Sequence, residues 1–459
     1  MKYMINPDIF RAYDIRALVP QDLDGDGAYN IGLAFAAFLK KKNRDSAGIS
    51  VLVQSDMRES SPELKDMFIK GLIELGINII DGGVATTPMH YFSIQHSGVD
   101  AGVIVTASHN PAQYNGFKLS LKNIIPVGAG TGMEETRDLA LSQDFKKSDN
   151  AGTIEQKIFQ KEYIKFLLNK IDPASIKKFR IAIDAGNGMA GLILPNLITE
   201  LPIDIIPLYF DTDMSFPNHE ANPMNEKTLG DLKKCVINEK ADFGIAFDGD
   251  ADRLGFIDEK GQTVANDLIA SFMSEQFLKK DSGANIVYDL RSSRILPEII
   301  EKQDGHGFTS KVGHSFIKSN MRKNDAIFGA ELAGHFYFKE FFFADSAMLA
   351  FLYFLQMMSQ ENDKLSKVIE RYKKYYSSGE INFEIKKRDV SLFDKISEQF
   401  SDAEDIFKLD GLSIKYKDWW FNIRMSNTEP LVRLTIEAID QDILNAKTAL
   451  LKEILKNFQ

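Results

Sequence analysis

The chain has 459 residues, of which 44% are apolar and 26% charged, an ordinary composition for a soluble globular protein. That length exceeds what one hydrophobic core supports and predicts about three or four domains. A net charge of −10 argues against a general nucleic-acid binder, but leaves room for an anionic small molecule held by local Arg and Lys.

Cys235 is the only cysteine, so no intramolecular disulfide can form, and a buried apolar role in a reducing compartment is expected. Met1 to Asp8 has no basic stretch followed by an apolar one, as a secretory signal would. The longest apolar stretch, Ala347–Met358, is too short to span a bilayer and reads as a core helix. The expected setting is cytoplasmic, with no membrane partner.

Apolar runs ending near Asp, Gly or Ser recur along the chain: 49–53, 102–105, 181–184, 243–247 and 285–289. Helical patterns lie between them at 62–75, 191–199 and 228–239, with Pro62 early in the first. Strand–helix alternation predicts α/β domains with parallel or mixed sheets. Boundaries are placed near 153, 260 and 374, giving domains at 1–153, 154–260, 261–374 and 375–459. The last begins with a short strand at 381–385 and has less βαβ character, so it is read as α+β.

Phe10-Arg11-Ala12-Tyr13-Asp14-Ile15-Arg16 places two arginines and a tyrosine near the N-terminus, ordinarily just solvated. After the run ending at Val105 comes Thr106-Ala107-Ser108-His109-Asn110-Pro111. This puts the Ser108 hydroxyl at the mouth of a sheet, where α/β folds bind ligands, in a turn stiffened by Pro111. Such a Ser suits a nucleophile or a phosphate carrier. Asn115-Gly116 reads as a hairpin-type turn that brings Lys118 back near Ser108, although an ordinary surface lysine is the plainer reading.

Asp248-Gly249-Asp250-Ala251-Asp252-Arg253 sits between two apolar strands. Carboxylates at alternate positions of an extended segment face one side and repel unless a cation lies between them. Hard oxygen ligands favour Mg²⁺. An EF-hand Ca²⁺ loop is the rival, but Arg253 stands where that loop needs Gly, and the flanks read as strands. Gly329-Ala330-Glu331-Leu332-Ala333-Gly334-His335 permits a tight loop that offers a carboxylate to vicinal hydroxyls and a histidine for proton exchange. Arg424-Met425-Ser426-Asn427-Thr428-Glu429-Pro430, with Arg433 beyond, offers a phosphate cradle without a Walker lysine. A serine hydrolase is disfavoured because no Gly-x-Ser-x-Gly elbow surrounds Ser108.

Taken together, these motifs resemble the α-D-phosphohexomutase family, most closely its phosphomannomutase/phosphoglucomutase branch, in the family's order and over nearly the whole chain. The resemblance implies three successive similar α/β domains with mixed sheets plus a C-terminal α+β domain, arranged around a central cleft. It implies a phosphoserine at Ser108, with Asp248, Asp250 and Asp252 holding one Mg²⁺ that also touches Ser108. Arg16, His109, Lys118 and Arg253 would surround the transferred phosphoryl. Tyr13, Arg291, His314, Glu331, Ala333 and His335 would line the sugar site, and Arg424, Ser426, Asn427 and Thr428 would grip the other phosphate. The implied reaction interconverts hexose 6-phosphate and 1-phosphate, of mannose and also of glucose, through a hexose 1,6-bisphosphate that also serves as activator. The implied protein is a monomer or weak homodimer.

Three positions depart from the family pattern: Ala17 replaces Gly, Ala333 replaces Ser, and Arg291 replaces Lys. Loss of the hydroxyl at 333 removes a sugar contact, and Arg291 is too basic to move protons, so a role there is electrostatic. A phosphoglucosamine mutase is the near alternative, and a non-catalytic sugar-phosphate or Ca²⁺-binding protein the distant one.

Overall fold

The computed structural model describes residues 4–42, 48–384, 391–425 and 431–456. The chain forms two compact units, Met1–Val264 with Ala333–Ser366, and Ala265–Leu332 with Lys367–Gln459. Three α/β layers are followed by an antiparallel C-terminal sheet.

The first unit opens with a mixed sheet whose central strand, Ser50–Ser55, pairs in parallel with Ala101–Val105 on one side and Asn78–Val84 on the other. Its continuous Val51-Leu52-Val53 run is fully buried, as expected of a strand covered on both faces. Tyr114–Leu121 then runs antiparallel to Ala101–Val105, with Ile15–Leu18 antiparallel beyond it. Helices Gly25–Lys42, Ser61–Glu74 and Thr87–Ser97 flank this sheet. Thr86 caps the last, its hydroxyl accepting from Met89 N at 3.0 Å, with Pro88 early in the helix.

Asn115-Gly116 is not the hairpin turn expected from its composition. Both residues lie inside Tyr114–Leu121, opposite Ala17 and Arg16. The glycine is needed for close approach rather than for turning: a Cβ on Gly116 would stand 1.8 Å from Ile15 O. Asn115 spends its amide on the hydroxyls of Ser60 and Ser61, at 2.8 and 3.0 Å.

The second sheet of this unit has parallel strands Asp204–Leu208, Arg180–Asp184 and Phe243–Phe247, with Leu254–Asp258 returning antiparallel to the last. Helix Ala347–Met358 packs on it, as its largely apolar run predicts. Phe351 meets Phe247, and Phe354 meets both Phe243 and Phe256. Each such buried ring contributes roughly 2 kcal/mol. Helix Gly230–Asn238 starts later than its pattern suggested because a 3₁₀ turn, Glu226–Leu229, precedes it. Cys235 is half-buried on that helix rather than fully buried.

In the second unit, Asn285–Asp289 lies between parallel partners His306–Ser310 and Phe328–Ala330. The C-terminal sheet is antiparallel, in the order Tyr376–Glu384, Leu431–Ala438, Trp419–Met425, Leu412–Lys415, Asp405–Phe407. Helices Ser391–Gln399 and Gln441–Lys456 cover a core that includes Ile396, Phe421, Leu434 and Leu451. Among the described residues, no helix is long and apolar enough to cross a membrane.

Candidate active site

Ser108 follows the buried strand Ala101–Val105 and is itself buried, with a left-handed backbone at φ +52°. Its N–H donates to Thr106 Oγ1 at 3.0 Å, and its hydroxyl donates to Asp248 Oδ2 at 3.2 Å. His109 Nδ1 lies 3.2 Å from the same hydroxyl.

The three aspartates converge, though not by the extended alternation expected of them. They occupy a turn between Phe243–Phe247 and Leu254–Asp258, with Ala251 left-handed at φ +60°. Asp248 Oδ1 closes that turn by accepting from the backbone N–H groups of Asp252 and Arg253 at 2.9 and 3.1 Å. Gly249 lets the turn touch the serine loop, since a Cβ there would stand 2.4 Å from Ser108 O.

Lys118 is buried, not a surface lysine. It donates to Asp250 Oδ2 at 2.6 Å and to Asp252 Oδ2 at 2.9 Å. Thr87 Oγ1 adds a bond to Asp250 Oδ2 at 2.5 Å. Asp250 Oδ1 and Asp252 Oδ1 are buried without a hydrogen-bond partner. One carboxylate oxygen from each of the three aspartates lies within 4.8 Å of the others. Buried orphan oxygens beside a third carboxylate fit a hard divalent cation.

The electrostatics agree with that geometry. Burial pushes the Asp248 carboxyl well up, and the charges of Asp252 and Asp250 push it further. Burial also works against Asp250 and Asp252, but Lys118, joined by Thr87 at Asp250 and by His335 and Arg253 at Asp252, holds both below the usual carboxylate range. Burial alone would lower Lys118, yet Asp250 and Asp252 hold it well above its ordinary value. The buried turn thus sets three carboxylates against the charges of Lys118 and Arg253.

Around this centre, Arg16 donates to Asn110 Oδ1 at 2.6 Å and pairs with Asp14. Arg253 Nε lies 3.8 Å from Asp248 Oδ2 and 3.8 Å from Asp252 Oδ1. Burial, then Arg253 and Arg16, push His109 well below its ordinary value. Tyr13 sits half-buried on the bend before Ile15–Leu18. Buried His335 Nδ1 lies 3.0 Å from Asp345 Oδ2 and 3.9 Å from Asp252 Oδ1, and its backbone bridges Arg253. Ala333 is half-buried in the turn before it.

The second unit gathers the other predicted residues. Arg291 is forked onto Asp289, with Nε to Oδ1 at 3.1 Å and Nη2 to Oδ2 at 2.8 Å. It also reaches Glu380 at 3.2 Å. Glu380 further accepts from Arg424 at 2.7 Å and from Arg433 at 3.1 Å, the two arginines facing each other across paired strands. Burial works against Glu380, but the three guanidiniums hold it below its ordinary value. Glu331 is buried and accepts from Gly313 N at 2.8 Å, next to half-buried His314 at the start of helix His314–Lys323. Ser426, Asn427 and Thr428 lie outside the described residues.

Sequence reasoning passed over Arg58, Thr87, Asp345 and Glu380. Arg58 is only 1% exposed, and Glu380 gathers three arginines. The available signal was Asp56-Met57-Arg58, charge placed at the end of the apolar strand Ser50–Ser55.

Comparison with known proteins follows the same order. Families described as phosphoglucomutase/phosphomannomutase alpha/beta/alpha domains I, II and III match residues 7–147, 161–261 and 265–375, and the corresponding C-terminal domain matches 380–449. A phosphomannomutase of Vibrio cholerae is 37% identical over 97% of this chain and 98% of its own. One of Methanocaldococcus jannaschii is 38% identical over 97% of each chain. The crystal structure of a phosphoglucomutase/phosphomannomutase family protein from Burkholderia thailandensis superposes with a TM-score of 0.90 at 30% identity, covering 99% of this chain and 98% of its own. An Aspergillus fumigatus N-acetylphosphoglucosamine mutase, solved with GlcNAc-6P and magnesium, shares the fold at a TM-score of 0.68 and 15% identity over 99% of this chain and 97% of its own. The chain belongs to the phosphoglucomutase/phosphomannomutase family, and is a phosphohexomutase, an intramolecular phosphotransferase.

Proposed function

We propose that the chain interconverts mannose 6-phosphate and mannose 1-phosphate, with the glucose phosphates as a second pair, using Ser108 as a reversible phosphoryl carrier. The observation that carries this reading is the Ser108 hydroxyl bonded at 3.2 Å to Asp248, in a buried aspartate turn with two orphan oxygens. The phosphomannomutase names of relatives 37% and 38% identical support the choice of sugar.

In the forward half-reaction the Ser108 Oγ–P bond breaks as a sugar hydroxyl oxygen bonds to phosphorus, and the hydroxyl proton ends on Oγ. The product is a hexose 1,6-bisphosphate. It returns its other phosphate to Ser108 by the reverse exchange, which explains its expected role as activator. Asp248, Asp250 and Asp252, with the Ser108 phosphate, would hold one Mg²⁺, which when bound neutralises charge developing on the phosphoryl oxygens.

Lys118 keeps Asp250 and Asp252 ionised and oriented. Arg16 and Arg253 supply positive charge at the reacting end, and His109 stands within proton-transfer reach of Oγ. Arg424, with Ser426, Asn427 and Thr428, grips the phosphate that is not being transferred. Glu331 accepts from sugar hydroxyls, while Tyr13, His314, Ala333 and His335 shape the sugar site. Arg291 acts by charge alone. These loops are assigned to four domains with boundaries near 153, 260 and 374.

Coupled assays on mannose, glucose and glucosamine 1-phosphates, primed with bisphosphate, test the reading. Mannose 1-phosphate turnover is expected to be fastest, and preference for the glucosamine sugar would shift the assignment to a phosphoglucosamine mutase. No turnover of any of them leaves a binding protein. Intact-mass analysis is expected to show phosphate on Ser108, lost in Ser108→Ala together with most activity. Phosphate on another residue overturns the carrier.

A further inference from the structure

We propose that Arg58 is a positioning residue that clamps the Ser108 loop in its transfer geometry. The inference rests on the reading of Ser108 as the phosphoryl carrier. Arg58 stands between strand Ser50–Ser55 and helix Ser61–Glu74 and is among the largest fully buried side chains. A guanidinium has five N–H donors, and here each is used. Nε donates to Asp56 Oδ2 at 3.1 Å. Nη1 donates to Pro111 O at 2.9 Å and Tyr114 O at 3.0 Å. Nη2 donates to Ser108 O and Asn110 O, both at 2.8 Å. Four of the five bonds therefore end on main-chain carbonyls of one loop.

That loop needs an external hold. A left-handed non-glycine residue such as Ser108 costs on the order of 1–3 kcal/mol and persists only where its surroundings impose it. Ser108 O lies between Arg58 Nη2 and the Cα side of Gly249, so the clamp also sets the serine loop against the aspartate turn. Arg58 is itself fixed. Asp56 accepts from Arg58 N at 3.0 Å and from Ser61 Oγ at 2.5 Å, and the ring of Phe216 lies 5.4 Å from the guanidinium carbon. Its contacts are carbonyls rather than reacting atoms, so its action on transfer passes through the loop. A lysine would keep the charge beside Asp56 but has three donors, too few for four carbonyls and a carboxylate.

Arg58→Lys separates clamp from charge. A misplacement of about 1 Å costs on the order of a hundredfold in rate, so kcat is expected to fall about a hundredfold while KM stays within about threefold. Hydrolysis of the Ser108 phosphate by water is expected to rise relative to transfer. Amide exchange should quicken in residues 106–116 and not in strand Ser50–Ser55. Wild-type kcat in folded Arg58→Lys overturns the clamp, and so does exchange that quickens equally across the sheet. Should Arg58→Lys not fold, Asp56→Asn keeps the guanidinium but removes its charged anchor. It is expected to lower kcat about tenfold, a smaller displacement than losing the fork, and an unchanged kcat there counts against the clamp. Wild-type protein with no phosphate on Ser108 removes the underlying reading instead. Phosphoserine in the wild type with undiminished turnover in Arg58→Lys removes only the clamp.

Discussion

Replacing Lys118 by Met tests whether the aspartate turn is held together by a cation. Lys118 is the only lysine bonded to the turn among the described residues, bridging Asp250 and Asp252 at 2.6 and 2.9 Å. Within the turn, three buried carboxylates face Lys118 and Arg253, and Arg253 stands farther off at 3.8 Å. Methionine fills much of the same volume but leaves both carboxylates without their ammonium. Breaking a buried pair by removing one partner costs roughly 3–5 kcal/mol. A unit longer than 250 residues loses somewhat under 2 °C per kcal/mol, so Tm in EDTA is expected to fall by about 6 °C. Excess Mg²⁺ supplies charge to the same oxygens, and the gap between variant and wild type should shrink to less than half. The assay is thermal unfolding by circular dichroism, with and without Mg²⁺. An unchanged Tm in EDTA would refute the role given to Lys118. Equal Mg²⁺ shifts in the two proteins would refute the turn as the Mg²⁺ site.

Three further substitutions probe separate parts of the molecule. Asp267 is buried, and burial pushes its carboxyl up to about 6 against the bond from Ser293 N–H, with Glu437 adding to the rise. Between about pH 4 and about pH 6 the folded chain keeps a proton that the unfolded chain has released, so stability falls as pH rises through that window. Asp267→Asn removes the penalty, and its advantage in urea unfolding should grow from near zero at about pH 4 to roughly 3 kcal/mol at neutral pH, whereas a pH-independent difference would contradict the assignment. Glu380→Gln leaves Arg291, Arg424 and Arg433 without their shared counter-charge. Inorganic phosphate measured by calorimetry should bind about tenfold more tightly, or about 1.4 kcal/mol, and weaker binding would show that Glu380 matters more for aligning the arginines. Gly249→Ala forces a Cβ against Ser108 O, at 2.4 Å without adjustment. Steady-state kinetics should show kcat down about a hundredfold at nearly constant KM, and a normal kcat would mean that the two loops are not in register through this contact.

Much of the architecture is legible where burial is continuous. Asn285–Asp289 and Ala347–Met358 occupy the spans their apolar runs predict, because strands and helices covered on all sides need no polar face. The places of the serine and aspartate loops are legible because each follows such a run. What fails is inference from short polar signals. Asn115-Gly116 carries turn chemistry, but close packing against Ile15 keeps it in a strand. The aspartates meet through a left-handed turn at Ala251, a backbone feature that residue spacing does not reveal. Arg58 and Glu380 go unremarked, and Lys118 has a plainer surface reading beside its place near Ser108, because their partners lie far along the chain: 50 residues away for Arg58 and Ser108, 132 for Lys118 and Asp250, and 89 for Arg291 and Glu380. Glu380 follows an irregularity in its strand pairing between Ser377 and Glu380, which no local pattern announces.

The unit that bears Ser108 and the aspartates is built from two separate stretches, with Ala265–Leu332 belonging elsewhere. When translation reaches Val264, its aspartate sheet has all its strands but not the helix, Ala347–Met358, that covers it. Phe243, Phe247 and Phe256 must wait for Phe351 and Phe354, and Asp252 must wait for His335. A fragment cut after the aspartate strands would carry every proposed metal ligand yet expose an aromatic face. The gene cannot be divided at that point into a catalytic half and a binding half. Synthesis leaves the nascent chain with an uncovered aromatic sheet face until the second stretch emerges.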